Sequence, residues 1–215
     1  MAVPEEHEMM ERCFIGVDPG FSGAIARINA GGNDLQVWDM PITDTPKLRQ
    51  RELDLGRLDT MLDSVLSVPH LVGLEWPTTR PAEGAERSER FGRQKGILES
   101  FLYFHHANYK RVAPNLWKGR LGLKGKAHEG ANAEAAALFD YHYPDCTQLI
   151  RGPRGGILDG RMDALLIAHW LRMQSPEGMK ALVWAHGKGT PEAMARLLQG
   201  PPSIRRSRPI RSDFD

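Results

Sequence analysis

The chain has 215 residues, of which 41% are hydrophobic and 26% charged, and its formal net charge is +1 at pH 7. These values are typical of a globular protein with one sizeable α/β core, and the net charge alone does not favour a nucleic-acid partner. No stretch approaches the roughly 18 consecutive apolar residues of a membrane span. The acidic N-terminus argues against a secretory signal or transit peptide, so we expect a cytoplasmic protein with no membrane partner.

Charge is unevenly distributed along the chain. The first dozen residues are acidic, whereas basic residues outnumber acidic ones from Arg80 to Lys126. The near-neutral total therefore conceals a chain with a basic middle. The two cysteines, Cys13 and Cys146, are far apart in sequence and predict free thiols in a reducing compartment.

Short apolar runs separated by turn residues predict a β-meander at the start of the chain. The runs are Cys13–Val17, Gly23–Ile28 and Leu35–Met40, and Asp18-Pro19-Gly20 ends the first of them. Two further strands are predicted at Leu71–Leu74 and Tyr109–Ala113. The predicted helices are Leu53–Leu66, a segment with Ile97 and Phe101 that ends near His106, about Glu129–Phe139, and Gly160–Arg172. Between them lie a predicted loop from Thr78 to about Arg93 and a Gly/Lys-rich stretch from Lys118 to Lys126.

This order predicts an α/β fold with a mixed five-stranded sheet, made of a three-stranded meander and two parallel strands and flanked by helices. The RNase H-like fold has this plan, and so do the sugar-kinase and actin-type ATPase domains, so fold alone does not decide function. We expect the domain to span residues 13–174, after a flexible lead at residues 1–12. Residues 175–215 are predicted to form a C-terminal extension with a short helix, capped by Thr190, and a basic tail.

Four acidic residues stand where predicted elements begin or end. Asp18 ends the first strand, Glu75 ends the strand Leu71–Leu74, and Asp159 and Asp163 lie four residues apart at the start of the last helix. If the two strands pair, Asp18 and Glu75 emerge side by side, and the helix can bring its two acids over the same edge. Carboxylates packed together repel one another, and bound divalent cations remove that repulsion.

Hard oxygen ligands of this kind suit Mg²⁺, with Mn²⁺ able to substitute. Two such ions would support phosphodiester hydrolysis, one by activating a water and the other by stabilising the leaving 3′-oxygen. Each acid also has a structural interpretation: Asp18 belongs to a turn, Glu75 can cap the sheet, and Asp159 can cap the last helix. Asp163 is harder to explain in this way, because it lies among apolar residues where an unpaired charge is costly.

The same residues resemble a known family. Four blocks are similar to RuvC-type Holliday-junction resolvases, most of all to the phage and chloroplast branch: Phe14–Gly20, Gly23–Ala26, Leu74–Glu75 and Asp159–Ala168. The resemblance covers roughly Cys13 to Arg172 and implies that Asp18, Glu75 and Asp163 are catalytic metal ligands, with two Mg²⁺ ions per site. Asp159 fits the fourth ligand of the family, although the bacterial pattern has that residue three positions before the last acid, where this chain has Gly160.

A nuclease for branched DNA also needs groups that hold phosphates and the branch point. Lysine and arginine neutralise DNA phosphates, and an aromatic ring can wedge between bases. The candidates for DNA contact are Arg87, Arg90, Phe91, Arg93, Lys118, Lys124, Lys126 and Arg161. The Arg/Glu alternation before Arg93 is equally typical of a self-compensating surface loop, whereas the glycines among the lysines permit close backbone approach.

The leading hypothesis is a Mg²⁺-dependent endonuclease that resolves Holliday junctions by paired nicks. A four-way junction has near two-fold symmetry, so symmetric incision requires a homodimer. The helix with Ile97, Leu98, Phe101 and Leu102 is an interface candidate, unless this stripe packs on the sheet. The alternatives are an RNase H-like nuclease acting on flaps, forks or RNA–DNA hybrids, a junction-binding protein that does not cut, and an ATP-dependent phosphotransferase, for which the chain is short.

Overall fold

The computed structural model describes residues 12–45, 50–78, 84–123, 128–176 and 178. Within these residues the chain forms a five-stranded sheet with helices on both faces and a separate two-stranded hairpin. The strands are β1 (Cys13–Val17), β2 (Ala24–Asn29), β3 (Leu35–Asp39), β4 (Ile42–Thr45), β5 (Gln50–Leu53), β6 (His70–Glu75) and β7 (Tyr109–Val112). The helices are α1 (Leu55–Val65), α2 (Ala85–Phe104), α3 (Pro114–Arg120), α4 (His128–His142) and α5 (Asp159–Arg172), and a 3₁₀ helix spans Pro144–Ile150.

The large sheet has the strand order β3-β2-β1-β6-β7. β1 and β3 pair antiparallel with β2, and β6 pairs parallel with both β1 and β7. The turn between β2 and β3 is fixed by Asn29, whose side-chain oxygen accepts hydrogen bonds from the backbone of Gly32, Asn33 and Asp34. The predicted fold class, a meander plus two parallel strands flanked by helices, is confirmed.

Side-chain alternation along β1 defines the two faces of the sheet. Phe14 packs on one face in a core shared with α3, α4 and α5, whereas Ile15 and Val17 pack on the other face with α1 and α2. Successive residues of a strand point to opposite faces. Gly16 and Asp18 therefore face α5.

Glycines allow α5 to lie directly on the sheet. Gly16 of β1 touches the α5 backbone at Ala164, where a side chain would collide with the carbonyl oxygen of that residue. In β6 a Cβ on Gly73 would lie 3.0 Å from the Ile167 side chain. A helix can come this close to a sheet only where the strand has no side chain between them. This contact sets the position of α5 above the ends of β1 and β6.

Three parts of the chain differ from the sequence prediction. The hairpin of β4 and β5 was not predicted. The helix α1 begins at Leu55 rather than Leu53, and Asp54 caps it by accepting a hydrogen bond from the Arg57 backbone N–H at 3.0 Å. The predicted loop from Thr78 to Arg93 is wrong from Ala85 onward, because α2 begins there. Lys118, placed in a Gly/Lys-rich stretch, lies in α3.

Several predictions fall on residues outside those that the structure describes. They concern the lead before Arg12, Lys124, Lys126, and the helix and basic tail after Gly178. Within the described part of the chain, no helix has the length and apolarity to cross a membrane.

We predict that Gly16→Ala lowers the free energy of unfolding by roughly 2–3 kcal/mol, because the new methyl group must push α5 away from the sheet. Denaturant unfolding followed by circular dichroism measures the loss. Gly56→Ala is the matched control, since an added Cβ in this exposed turn of α1 meets only the Asp54 side chain at 3.8 Å. A Gly16→Ala protein as stable as the Gly56→Ala protein would contradict the close contact.

Candidate active site

The register of β1 and β6 brings two of the candidate acids together. Val17 pairs with Leu74 in the parallel ladder, so Asp18 and Glu75 follow at neighbouring positions. By the alternation of each strand, both acids project toward the α5 side of the sheet. The Asp18 carboxylate is held by the backbone N–H of Gly20 at 3.0 Å. Glu75 is almost completely buried, with 7% of its surface exposed.

The third acid, Asp163, comes from the sheet-facing side of α5. It stands one helical turn after Gly160 and one turn before Ile167, and both of these residues touch the sheet layer. Gly160 packs against the backbone of Ser22, so that a side chain there would collide with the Ser22 carbonyl oxygen. An acid at the position of Gly160 would therefore require the helix to move.

Asp159 lies at the edge of this group. It is the first residue of α5 rather than its N-cap, which is Leu158, so the capping interpretation is wrong. Its side chain is exposed and accepts a hydrogen bond from the Asn132 amide at 2.9 Å. Its charge still acts on Asp18, which makes it an outer member of the cluster.

Helix α3 supplies two groups that hold the acids in place. The Trp117 indole N–H donates to a Glu75 carboxylate oxygen at 2.9 Å, in a fully buried contact. The Lys118 ammonium donates to Asp163 at 2.8 Å and also interacts electrostatically with Glu75 and Asp18. One ammonium group thus faces three carboxylates that come from three different elements.

Burial and mutual repulsion change the acidity of the cluster. Burial, together with the charge of Asp163, raises the pKa of Asp18 to about 6, although the Gly20 N–H opposes the shift. Burial and the charges of Asp18 and Asp163 raise the pKa of Glu75 to about 7. Burial lowers the pKa of Lys118, but the surrounding carboxylates more than offset this, and the pKa lies above its ordinary value. The cluster is therefore short of positive charge.

The donor set suits a hard divalent cation, because carboxylate oxygens are the ligands that Mg²⁺ and Mn²⁺ prefer. Among the described residues, however, no three acidic, histidine or cysteine side chains are arranged to hold a metal ion. The Lys118 ammonium lies 2.8 Å from an Asp163 carboxylate oxygen.

The residue after Glu75 is clamped between two cations. The Trp76 ring has the Arg111 guanidinium 4.2 Å from its centroid and the Lys95 ammonium at 4.8 Å. Lys95 also donates to the Pro77 carbonyl at 2.9 Å, and Arg111 pairs with Glu99. Both cations are attracted to the face of the ring, so this stack restrains the end of β6.

The candidate DNA-contact residues fall into separate places. Arg90 pairs with Glu86 at 2.7 Å, Arg93 pairs with Glu52 at 3.1 Å, and Arg161 makes a two-pronged contact with Asp39. Phe91 lies on α2 with its ring centroid 4.9 Å from the Lys95 ammonium. Arg87 is in α2, but its side chain is outside what the structure describes, as are Lys124 and Lys126.

Lys118 was a sequence candidate for DNA contact, but sequence reasoning missed the acidic partners of three residues that shape the site. It did not anticipate that Trp117 binds Glu75, that Lys118 pairs with an acid, or that Asn132 binds Asp159. One signal was present: a tryptophan beside a lysine, after a proline helix start, combines an apolar ring with an N–H that needs an acceptor once buried. Nothing in the sequence indicated which acceptor it would find.

No protein-family model matches the chain, and no curated protein sequence does. Solved structures do match. Thermus thermophilus RuvC in complex with a Holliday junction substrate has 17% identity, covering 75% of this chain and 95% of that chain, with a TM-score of 0.48. A second Thermus thermophilus RuvC structure has 19% identity, 82% and 97% coverage and a TM-score of 0.43. The yeast mitochondrial Holliday junction resolvase Ydc2 has 14% identity, 84% and 82% coverage and a TM-score of 0.47.

We predict that Glu75→Gln stabilises the metal-free protein at pH 8 by about 2 kcal/mol, because the wild type must keep a buried carboxylate charged. Because the pKa of Glu75 is higher in the folded protein than in the unfolded chain, its contribution to stability is fully present below pH 4.5. This contribution is lost as the pH rises through about 7. The two proteins should therefore be equally stable at pH 4. Denaturant unfolding in a chelator at both pH values measures the difference.

Glu99→Gln is the matched control, for which the opposite change in stability at pH 8 is expected. Hydrogen bonding to Arg111 lowers the pKa of Glu99, so its contribution to stability is present above pH 4.5 and disappears as pH falls. The Glu99→Gln protein should be the less stable one at pH 8. A Glu75→Gln protein that also loses stability at pH 8 would show that the Glu75 carboxylate is not strained in the metal-free fold.

Proposed function

We propose that the protein is a divalent-metal-dependent endonuclease of the RuvC type that cuts four-way DNA junctions. The observation that carries the proposal is the convergence of Asp18, Glu75 and Asp163 from β1, β6 and α5 on a single lysine. Carboxylates gathered in a buried place repel one another unless cations neutralise them. The resemblance of the surrounding sequence blocks to RuvC-type resolvases supports the choice of phosphodiester hydrolysis.

Asp18, Glu75 and Asp163 would hold the metal, with Asp159 at the outer edge. When bound, two Mg²⁺ or Mn²⁺ ions supply a nucleophilic water and stabilise the leaving oxygen. The chain itself supplies orientation. The Gly20 N–H and the Trp117 indole each fix one carboxylate oxygen, of Asp18 and Glu75 respectively, and leave the others available. These two hydrogen bonds would restrict how far the two carboxylates have to move to bind a cation.

Lys118 has two successive tasks in this proposal. Without metal, its ammonium keeps the carboxylates together by pairing with Asp163. With a cation bound to Asp163, Lys118 would be free to hold the scissile phosphate beside the site. Its side chain is 36% exposed, so it has room to turn toward a substrate.

An arginine-lined cleft beside Asp159 supports a DNA partner. The cleft has a volume of about 540 Å³ and is bordered by Arg51, Arg57 and Arg161, with Asp159 and Ser22 on its inner wall. Asp39 is 64% exposed and makes a two-pronged contact with Arg161. A DNA phosphate presents the same kind of oxygen acceptors to the guanidinium and could take the place of Asp39.

Paired nicking of a two-fold symmetric junction would require two copies of the chain. The apolar stripe of α2 is not free to form that contact, because Leu98 and Leu102 pack on the sheet and are 1% exposed. The outward face of α2 carries Gly92 and Gly96, and a Cβ on either meets nothing within 4 Å among the described residues. This face ends at Tyr103, which is 69% exposed. We propose that the same face of a second copy covers it.

We predict that Lys118→Met tightens Mn²⁺ binding roughly threefold to tenfold, because the metal no longer competes with an ammonium for Asp163. The variant should also lose stability without metal and regain it on adding Mn²⁺. Calorimetric titration and thermal unfolding measure the two effects. Lys110→Met is the control, since it removes the same charge from the far end of β7, where the ammonium lies over Trp170 at 5.0 Å. Unchanged or weaker Mn²⁺ binding by Lys118→Met alone would refute the competition.

We predict that the wild type cuts a labelled four-way junction in Mg²⁺ at symmetric positions on opposing strands, whereas Asp163→Asn and Asp18→Asn bind it without cutting. Loss of a metal ligand should lower the rate by at least about 10³-fold. Denaturing gels of each labelled strand measure rate and symmetry, and Asp39→Asn, in the arginine-lined cleft, is the control that keeps the metal site. Binding without cutting by the wild type would favour the junction-binding alternative, and cutting of flaps or hybrids alone would favour the other nuclease class.

A further inference from the structure

The acids project toward α5, and a buried lysine lies on the opposite side of the sheet. Lys95 belongs to α2, which packs on that side, and is 7% exposed. Within the described part of the chain no carboxylate pairs with its ammonium, and the charge that acts on it is the positive charge of Arg111. Burial and this charge lower the pKa of Lys95. A buried charge without a counter-ion is unfavourable, so stability alone does not explain this lysine.

The Lys95 ammonium contacts the two residues that directly follow Glu75. It donates a hydrogen bond to the Pro77 carbonyl at 2.9 Å and lies 4.8 Å from the centroid of the Trp76 ring. A further contact, with the Phe91 ring at 4.9 Å, comes from the previous turn of α2. Lys95 follows Pro77 by 18 residues in the chain. It thus fastens α2 back onto the end of β6.

The end of β6 is the place where the backbone hydrogen bonds of the sheet stop. The Trp76 N–H donates to the Val112 carbonyl at 2.7 Å. The next residue is Pro77, which has no N–H, so the ladder cannot continue through it. Segments with few backbone hydrogen bonds open most readily. The hydrogen bond from Lys95 to the Pro77 carbonyl therefore continues the support of the chain beyond the last bond of the ladder.

The position of Glu75 depends on this support. Glu75 lies opposite Val112 at the end of the β6–β7 ladder, and its side chain and that of Trp76 point to opposite faces of the sheet. On the α5 side, the Trp117 indole holds the Glu75 carboxylate. On the α2 side, Lys95 holds the ring of the next residue. Since the two residues share a peptide bond, a shift of Trp76 also moves the Glu75 backbone.

We infer that Lys95 is a positioning residue for Glu75. It fixes the end of β6 from the opposite face of the sheet, so that the Glu75 carboxylate meets a cation together with Asp18 and Asp163. The inference rests on the proposed function, because it takes Glu75 to be a metal ligand. A buried lysine kept for this purpose costs stability. An apolar side chain of similar shape should therefore leave the stability unchanged or raise it, while metal binding weakens.

The first test measures the support of β6 in the metal-free protein. In a chelator, Lys95→Met should melt no lower than the wild type, yet the Trp76 amide should exchange its hydrogen about tenfold faster, because opening the strand end no longer breaks the contact with Pro77. Amide exchange followed by NMR measures this. Lys110→Met is the matched control, since it removes an ammonium that lies over the Trp170 ring at 5.0 Å.

Two results of the first test would overturn the inference. Unchanged exchange of the Trp76 amide in Lys95→Met would show that the lysine does not hold the end of β6. A clear fall in the melting temperature would show that Lys95 supports the fold as a whole instead of positioning one acid.

The second test measures the metal site itself. Calorimetric titration should show that Lys95→Met binds Mn²⁺ about tenfold more weakly than the wild type, which is the usual effect of removing a group that orients a metal ligand. With a four-way junction at saturating Mg²⁺, kcat should fall about tenfold, whereas KM should change less than twofold, because the buried lysine does not touch DNA. Lys110→Met should match the wild type in both measurements.

The outcomes separate the two proposals. If the wild type binds Mn²⁺ and cuts junctions, and Lys95→Met does both equally well, Lys95 does not position Glu75, although the nuclease stands. A rise in KM alone would place Lys95 in substrate binding and would also overturn the inference. If the wild type neither binds Mn²⁺ nor cuts, the proposed function fails and the role toward a metal fails with it. The exchange test then still decides whether Lys95 holds the end of β6.

Discussion

The structure depends on how negative charge is balanced where β1, β6 and α5 meet. Asp18, Glu75 and Asp163 lie in a place from which water is largely removed, and burial raises the pKa values of the first two. The Lys118 ammonium, hydrogen-bonded to Asp163, opposes this charge, as do the N–H groups that Gly20 and Trp117 donate to the other two acids. Charge clusters of this kind are costly to fold and are typical of sites that bind cations or perform chemistry. The rest of the fold serves to keep the cluster together.

The backbone keeps it together through two simple devices. The parallel register of β1 and β6 places two acids side by side without any need for side-chain packing. Gly16 and Gly73 then remove the side chains that would separate α5 from these strands, and Gly160 does the same from the helix side. Gly160 also explains why the acid before Asp163 stands at Asp159, because a side chain in its place would strike Ser22.

The sequence predicted the sheet well because its signals are local. Apolar runs such as Cys13–Val17, ended by Asp-Pro-Gly, define strands without knowledge of their neighbours. It failed for the N-terminal part of α2, where Arg and Glu dominate and the helical face is amphipathic only from Gln94 onward. The hairpin of β4 and β5 was not predicted because each four-residue strand has a single apolar residue and so gives no clear alternation.

The acids themselves could be found from the sequence, but their partners could not. Asp18 and Glu75 stand at strand ends, and a strand end is visible in a local pattern. Trp117 and Lys118 lie more than forty residues from the acids that they contact, so their roles depend on how α3 packs. Gln94 is a further case. Its amide nitrogen becomes buried without a described hydrogen-bond partner only when α2 folds against the hairpin. Long-range polar contacts of this kind leave little trace in a single sequence.

The most direct measurement of the central claim is anomalous diffraction from crystals soaked in Mn²⁺. We expect Mn²⁺ to lie among the carboxylates of Asp18, Glu75 and Asp163, with the Lys118 ammonium moved away from Asp163. Mn²⁺ bound only elsewhere, with Lys118 still paired to Asp163, would contradict the account.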